Sequence, residues 1–245
     1  MPPLTNRIAL VTGASRGIGR HTALALAEQG AHVIAVARTV GGLEELDDEI
    51  KNRGGSATLV PMDLTDYAAI DRLGAEIDKR FGRLDTLVAN AGMLGGLSPL
   101  GHYDPKTFER VMAVNVTANW RLIRSLDPLL RASESARAIF LSSGAAHSCK
   151  PYWGAYAMSK AALEALAGTY AAECANTKIG VVIVNPGVAR TAMRAQAMPG
   201  EDPATIADPS VPAAAIARLA DPATTLGGMI YDVATGKFLN PRKPA

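Results

Sequence analysis

Between Ile8 and Gln29 the chain runs from a short aliphatic segment, Ile8-Ala9-Leu10-Val11, through Thr12-Gly13-Ala14-Ser15-Arg16-Gly17-Ile18-Gly19 and directly into an Ala- and Leu-rich stretch at helical spacing. Strand, glycine-rich turn and helix in immediate succession constrain the fold more than any other feature, because they set backbone N–H groups and a helix N-terminus at one sheet edge. Each glycine has a reason in that order. Gly13 permits a tight turn, Gly17 lets the backbone approach a pyrophosphate, and Gly19 lets helix and sheet pack closely. Ser15, Arg16 and Ile18 complete the turn, and the ligand it implies is a dinucleotide.

The remaining sequence repeats the same alternation. Strands are expected at Ile8 to Val11, His32 to Ala37, Thr58 to Pro61, Leu84 to Ala89, Ala138 to Ser142, Gly180 to Asn185 and Met229 to Tyr231. Several are apolar almost throughout, as strands covered by helices on both faces should be. Helices are expected at Gly17 to Gln29, Leu43 to Arg53, Asp66 to Arg80, Pro105 to Arg131, Tyr156 to Asn176 and Val211 to Ala220, with a long loop from Met198 to Pro212. The fold class is therefore α/β: one Rossmann-type, doubly wound parallel sheet of about seven strands, in a single domain over 1–245. With 245 residues, 48% of them hydrophobic, such a domain can bury a large core.

The charge balance, 25 basic against 23 acidic residues, offers no concentrated field for nucleic acid. No segment approaches the ~18 uninterrupted apolar residues of a membrane span, and the opening residues lack a signal-peptide pattern, so the expected location is the cytoplasm, away from membranes. Cys149 and Cys174 have no metal-ligand spacing, and no metal is expected.

Two features narrow the chemistry. About 20 residues past the glycines, where an acidic residue would bond the ribose 2′-hydroxyl of NAD, stands Arg38. A guanidinium there, with Arg16 in the turn, suits the 2′-phosphate of NADP(H), although either arginine alone can be a solvated loop residue. In Tyr156-Ala157-Met158-Ser159-Lys160 the Tyr and Lys share one helix face. At an effective dielectric of ~20 a cation ~4 Å away contributes about 4 kcal/mol, roughly three pKa units, so Lys160 is expected to draw the Tyr156 phenol toward neutrality. Ser143, at the end of the fifth strand, can donate to a substrate oxygen. Ser142 beside it is expected to be structural, and Tyr152, with no lysine four residues on, is set aside.

The Gly-x3-Gly-x-Gly turn, Asn90-Ala91-Gly92, Asn115, Ser143 with the Tyr156/Lys160 pair, and Pro186-Gly187-Val188-Ala189-Arg190-Thr191 together resemble the short-chain dehydrogenase/reductase family over about Arg7 to Thr191. The resemblance implies an oxidoreductase that transfers hydride between NADP(H) and a small carbonyl or alcohol, with Asn115, Ser143, Tyr156 and Lys160 as catalytic tetrad. It implies adenine contacts at Asp63 and Leu64, nicotinamide contacts at Pro186, Gly187, Val188 and Thr191, and assembly as a homodimer or homotetramer. Read from its neighbours alone, Asn115 is a satisfied core amide; the resemblance makes it the residue that holds a water beside Lys160. The tail from Gly227 to Lys237 matches the family only loosely. A 3-oxoacyl-thioester reductase, a non-catalytic NADP(H)-binding sensor and an epimerase or dehydratase are the rival readings, the last opposed by the short chain and the glycine spacing. Met93, Leu94, His147, Cys149, Trp153, Met193, Gln196 and Met198 flank the motifs as candidate pocket residues, and Arg190 and Arg194 as candidate anion contacts.

Overall fold

The computed structural model describes residues 1–227 and 229–240. Its strands are β1 (Ile8–Thr12), β2 (His32–Ala37), β3 (Ser56–Pro61), β4 (Thr86–Ala89), β5 (Ala136–Leu141), β6 (Ile179–Asn185), β7 (Ile230–Asp232) and β8 (Lys237–Leu239). They form one sheet in the order β3-β2-β1-β4-β5-β6-β7-β8, parallel from β3 through β7. The chain builds outward from β1 to β3 and then returns to place β4 on the other side of β1. The carboxyl ends of β1 and β4 thus flank a topological switch point, where open α/β sheets bind ligands.

Helices α1 (Gly17–Glu28), α2 (Val40–Asn52), α3 (Tyr67–Phe81), α4 (Pro105–Met112), α5 (Ala118–Arg131), α6 (Ala145–Ser148), α7 (Gly154–Glu173), α8 (Ala192–Ala197) and α9 (Ser210–Ala220) connect the strands. Successive strand side chains point to opposite faces, so each strand feeds two cores. Leu10, Leu87 and Phe140 pack on one side against Ile70, Leu122, Leu126 and Leu163 of α3, α5 and α7. Val11, Val88 and Ile139 pack on the other against Leu24, Leu43, Leu46 and Ile216 of α1, α2 and α9. Helix ends follow local chemistry: the Asp66 carboxylate accepts from Ala69 N at 3.0 Å ahead of α3, and left-handed Gly82 closes that helix.

The sheet is the expected parallel one of about seven strands, and the elements add detail to the expected pattern in three places. The segment from Pro105 to Arg131 is not one regular helix: Ala113–Thr117 forms a π turn between α4 and α5, a wider loop of backbone that local propensity does not encode. The sheet has an eighth strand, antiparallel to β7; the tail turns back because Asp232 Oδ1 accepts from Thr235 N and Oγ1, both at 2.8 Å, and Gly236 takes a φ of +68°. Gly228, part of the tail's glycine pair, lies outside the described residues. The stretch before α9 holds a 3-10 turn at Pro203–Thr205, and α8 precedes it. Elsewhere boundaries move by one to three residues. Leu84, for example, precedes β4 because its N–H bonds to the Leu129 carbonyl of α5.

Candidate active site

The glycine turn and the Asn90-Ala91-Gly92 turn are stitched together at the switch point. The Thr12 hydroxyl accepts from the N–H groups of Asn90 and Ala91, each at 3.0 Å, while Asn90 Nδ2 donates to Thr12 O at 2.8 Å. Gly13 has a φ of +68° and Gly17 of +57°, a region that side chains disfavour. A Cβ on Gly19 would meet Gly13 O at 2.3 Å, so only glycine lets α1 seat this close. Ser15 and Ile18 are half-buried, and Arg16, just before α1, is exposed. This cradle fits a pyrophosphate: a helix N-terminus with backbone groups presented through glycines.

Arg38 follows β2 with its side chain 67% exposed and Nη1 4.0 Å from Asp63 Oδ2. Asp63 accepts from Thr65 N at 2.9 Å, Thr65 Oγ1 at 2.8 Å and Arg110 Nη2 at 2.5 Å. Partial burial pushes its carboxyl up, but the Thr65 and Arg110 bonds outweigh burial and hold it below the usual range. Leu64 is buried beside it. Arg110, on α4, was not foreseen; its meeting with Asp63 is tertiary, and no spacing in the sequence signals it.

Farther along the sheet edge, Ser143 follows β5. Its oxygen accepts from Ala145 N at 3.2 Å, so its own hydrogen is free to be donated elsewhere. Tyr156 lies in the first turn of α7, 8% exposed, its ring centroid 6.1 Å from that of Trp153. Lys160 is buried one turn on, with Nζ donating to Leu141 O at 2.7 Å and lying 5.8 Å from the Tyr156 ring centroid. The expected draw of Lys160 on the phenol is not what this geometry delivers. Burial pushes Tyr156 above the ordinary phenol range, with the Ser143 hydrogen bond pulling the other way, and the ammonium, 5.8 Å from the ring centroid, is bonded to Leu141 O. Burial also drives Lys160 down to about 8, opposed by the charge of Glu164.

Asn115 is fully buried in the π turn. Its Oδ1 accepts from Met93 N at 2.9 Å, and its Nδ2 donates to Met93 O at 3.0 Å and Ser159 Oγ at 2.9 Å. The side chain therefore ties the end of the Asn90-Ala91-Gly92 segment to the Tyr156–Lys160 turn. Gly92 lies between: a Cβ there would stand 3.4 Å from Asn115 Oδ1 and 3.5 Å from Lys160 Nζ. Ser142 is structural, as expected, donating to Glu164, and Tyr152 is exposed.

After β6, left-handed Gly187 turns the Pro186–Thr191 segment, in which Val188 is exposed, back over the glycine turn. Thr191 Oγ1 accepts from Arg194 N at 3.2 Å, and its Cγ2 would stand 3.3 Å from a Cβ on Gly17. Of the candidate pocket residues, Leu94, Trp153 and Met193 gather around Tyr156 together with Ala145 and Ala197, which were not foreseen. Met93 serves Asn115 through its backbone, whereas His147, Cys149, Gln196 and Met198 are exposed. Arg190 pairs with Asp208 at 2.7 Å, and Arg194 with both oxygens of Glu201 at 2.5 and 2.6 Å. Among the described residues no cluster of His, Cys, Asp and Glu is placed to hold a metal, and no helix is long and apolar enough to cross a membrane.

A family model described as short chain dehydrogenase matches residues 7–202. A fatty acyl-CoA reductase from Acinetobacter baylyi is 37% identical over 76% of this chain and 64% of its own length. A benzil reductase, (S)-benzoin forming, from Saccharomyces cerevisiae is 35% identical over 87% of this chain and 89% of its own length. Among solved structures, a short chain dehydrogenase from Escherichia coli complexed with NADPH superposes with a TM-score of 0.89 at 36% identity, covering 95% of this chain and 98% of that one.

Proposed function

The chain belongs to the short-chain dehydrogenase family of oxidoreductases, and from that premise we propose that it is a single-domain NADP(H)-dependent reductase of uncharged, apolar ketones and aldehydes. The observation that carries the reading is the convergence of Ser143, Tyr156 and Lys160 on the apolar cluster of Leu94, Trp153, Met193 and Ala197. When bound, the nicotinamide supplies the hydride for the carbonyl carbon. Tyr156, kept protonated by burial, hands its proton to the carbonyl oxygen; Ser143 donates to the same oxygen as negative charge develops; Lys160 brings a buried positive charge to the site and would hold the nicotinamide ribose. Asn115 fixes the turn that presents both α7 residues. Alcohol oxidation uses the same groups in reverse.

Arg38 and Arg16 would receive the 2′-phosphate, both being exposed beside the cradle, and no acidic side chain replaces Arg38 at the end of β2. NADPH is expected to bind at least about tenfold tighter than NADH, a difference of ~1.4 kcal/mol from charge-assisted bonds. Fluorescence titration of both cofactors checks this, and Arg38→Asp should reverse the order; equal affinities in the native chain would remove the preference.

The pocket offers a substrate few fixed charges. Arg190 and Arg194, the candidates for an anionic handle, each already face a carboxylate, Asp208 and Glu201 respectively. That favours apolar carbonyl compounds, the class to which the benzil reductase's name points, over 3-oxoacyl thioesters, while the name of the acyl-CoA relative keeps thioesters in the test. In a steady-state panel, hydrophobic ketones and aldehydes are expected to give the higher kcat/KM; a value about a hundredfold higher for thioesters, ~2.7 kcal/mol in transition-state binding, would reverse the assignment. Stoichiometric NADPH binding with no turnover on the whole panel would instead favour a sensor. Trp120 on α5 and Met158 on α7 are exposed, which supports pairing of copies through these helices.

A further inference from the structure

Glu164 stands one turn past Lys160 and two past Tyr156, on the same stripe of α7. Its side chain is only 12% exposed, and both carboxylate oxygens are engaged. Oε1 accepts from the Ser142 hydroxyl, and Oε2 lies 2.9 Å from His147 Nε2. Ser142 immediately precedes Ser143. His147 belongs to α6, whose first residue, Ala145, donates its N–H to the Ser143 oxygen and packs its side chain against the Tyr156 cluster. A carboxylate this deeply placed is costly unless its bonds and a counter-charge compensate, and here its partners all lead to the reacting groups.

We propose that Glu164 is a positioning residue for the reduction: it clamps the Ser142–Ser143 strand end and α6 onto the helix that carries Tyr156, and its negative charge is the counter-charge of the buried Lys160 ammonium. The inference rests on the reductase reading. The field at Lys160 agrees with it, since burial disfavours the ammonium and Glu164 is the group that acts against burial. The surroundings leave that role to Glu164. On α7 itself the other titratable neighbour is Tyr156, and α6 contributes His147. The end of β5 contributes the Leu141 carbonyl and the Ser142 and Ser143 hydroxyls, the π turn contributes the Asn115 amide, and β6 carries no titratable side chain. On α4, Lys106 and Glu109 are exposed to solvent, and Arg110 is committed to Asp63.

Glu164→Gln keeps the size and most of the hydrogen bonding but removes the charge. In protein labelled with carbon-13 lysine, the Lys160 resonance, identified by its loss in Lys160→Arg, reports that group's titration without any turnover. The expected result is a midpoint for Lys160 lower by about 0.5 pH unit or more in Glu164→Gln, with the alkaline limb of kcat/KM moving down with it and costing about twofold or more at pH 8. Glu164→Ala should add a further loss of kcat through Ser143, with NADPH affinity retained. An unchanged Lys160 midpoint in Glu164→Gln, or equal activity losses in the Gln and Ala variants with no movement of the limb, would overturn the proposal. A shifted midpoint in a protein that reduces nothing on the carbonyl panel would support the charge pairing and sink the reductase reading instead.

Discussion

Tyr156→Phe is expected to lower kcat by at least ~100-fold, and by as much as ~10⁴-fold, while leaving NADPH affinity unchanged, because only the transferable proton is removed. The substitution should not disturb the fold. The ring stays buried among Leu94, Ala197 and Trp153, and the hydroxyl gives up a hydrogen bond with the Ser143 side chain. Burial raises this phenol above its ordinary range, which gives the reaction a direction in pH. A raised phenol is fully protonated at neutral pH: it is loaded as the acid for carbonyl reduction and poorly prepared as the base for alcohol oxidation. Reduction should therefore be flat through neutrality and fall as pH rises through the Lys160 titration near about 8, where the buried ammonium is lost. Oxidation should rise with pH over the lower part of the same range. Steady-state rates of the wild type and the Phe variant in both directions, with fluorescence titration of NADPH, check each part. A Phe variant within about tenfold of the wild type would mean that another group delivers the proton.

Sequence is informative about this site where the determining physics is local. That Tyr156 and Lys160 share a helix face follows from a period of 3.6 residues, and the glycine turn follows from the residues that flank it. Both are local, and both were legible. The electrostatics were not, since the field at a phenol oxygen depends on which way an ammonium points and how much water remains. Lys160 Nζ is directed to Leu141 O, a carbonyl 19 residues earlier in the chain. Asn115 is a second case. Its place among apolar residues marked it as either a core amide or a functional one, and the structure makes it a buried amide with three bonds that also assembles the site, through a π turn that no pattern announced. Arg110 on Asp63 and Glu164 between Ser142 and His147 were invisible for the same reason. Charged residues on amphipathic helices are usually solvated, and only the packing of α4 and α7 singles these out. The last strand escaped because it has three residues, two of them exposed, and so carries no periodicity to read.

The other large effect is expected at a residue with no side chain. Gly19 sits in the first turn of α1, where that helix crosses the end of β1, and a Cβ there would stand 2.3 Å from Gly13 O, 2.4 Å from Asn90 Nδ2 and 2.9 Å from Gly13 C. None of these atoms can step aside cheaply. Gly13 O belongs to the left-handed turn, and Asn90 Nδ2 is held by its bond to Thr12 O at 2.8 Å. In Gly19→Ala the helix must therefore lift from the sheet, spreading the two turns joined through Thr12 and Asn90. Overpacking against backbone of this kind costs about 3 kcal/mol, which for a chain of this size lowers Tm by roughly 6–12 °C. The same displacement carries the helix N-terminus and its N–H groups away from the pyrophosphate, so NADPH affinity should fall by at least about a hundredfold, ~2.7 kcal/mol. Gly41 supplies the comparison. It also lies in the first turn of a helix, α2, but it is exposed and an added Cβ there meets nothing within 4 Å. Gly41→Ala should gain from reduced chain entropy alone, raising Tm by about 2–4 °C for ~1 kcal/mol. Thermal unfolding of the two variants beside NADPH titration separates the readings. If Gly19→Ala and Gly41→Ala moved Tm in the same direction, or if Gly19→Ala bound NADPH as the wild type does, the close seating of α1 would not be what makes this turn a nucleotide cradle.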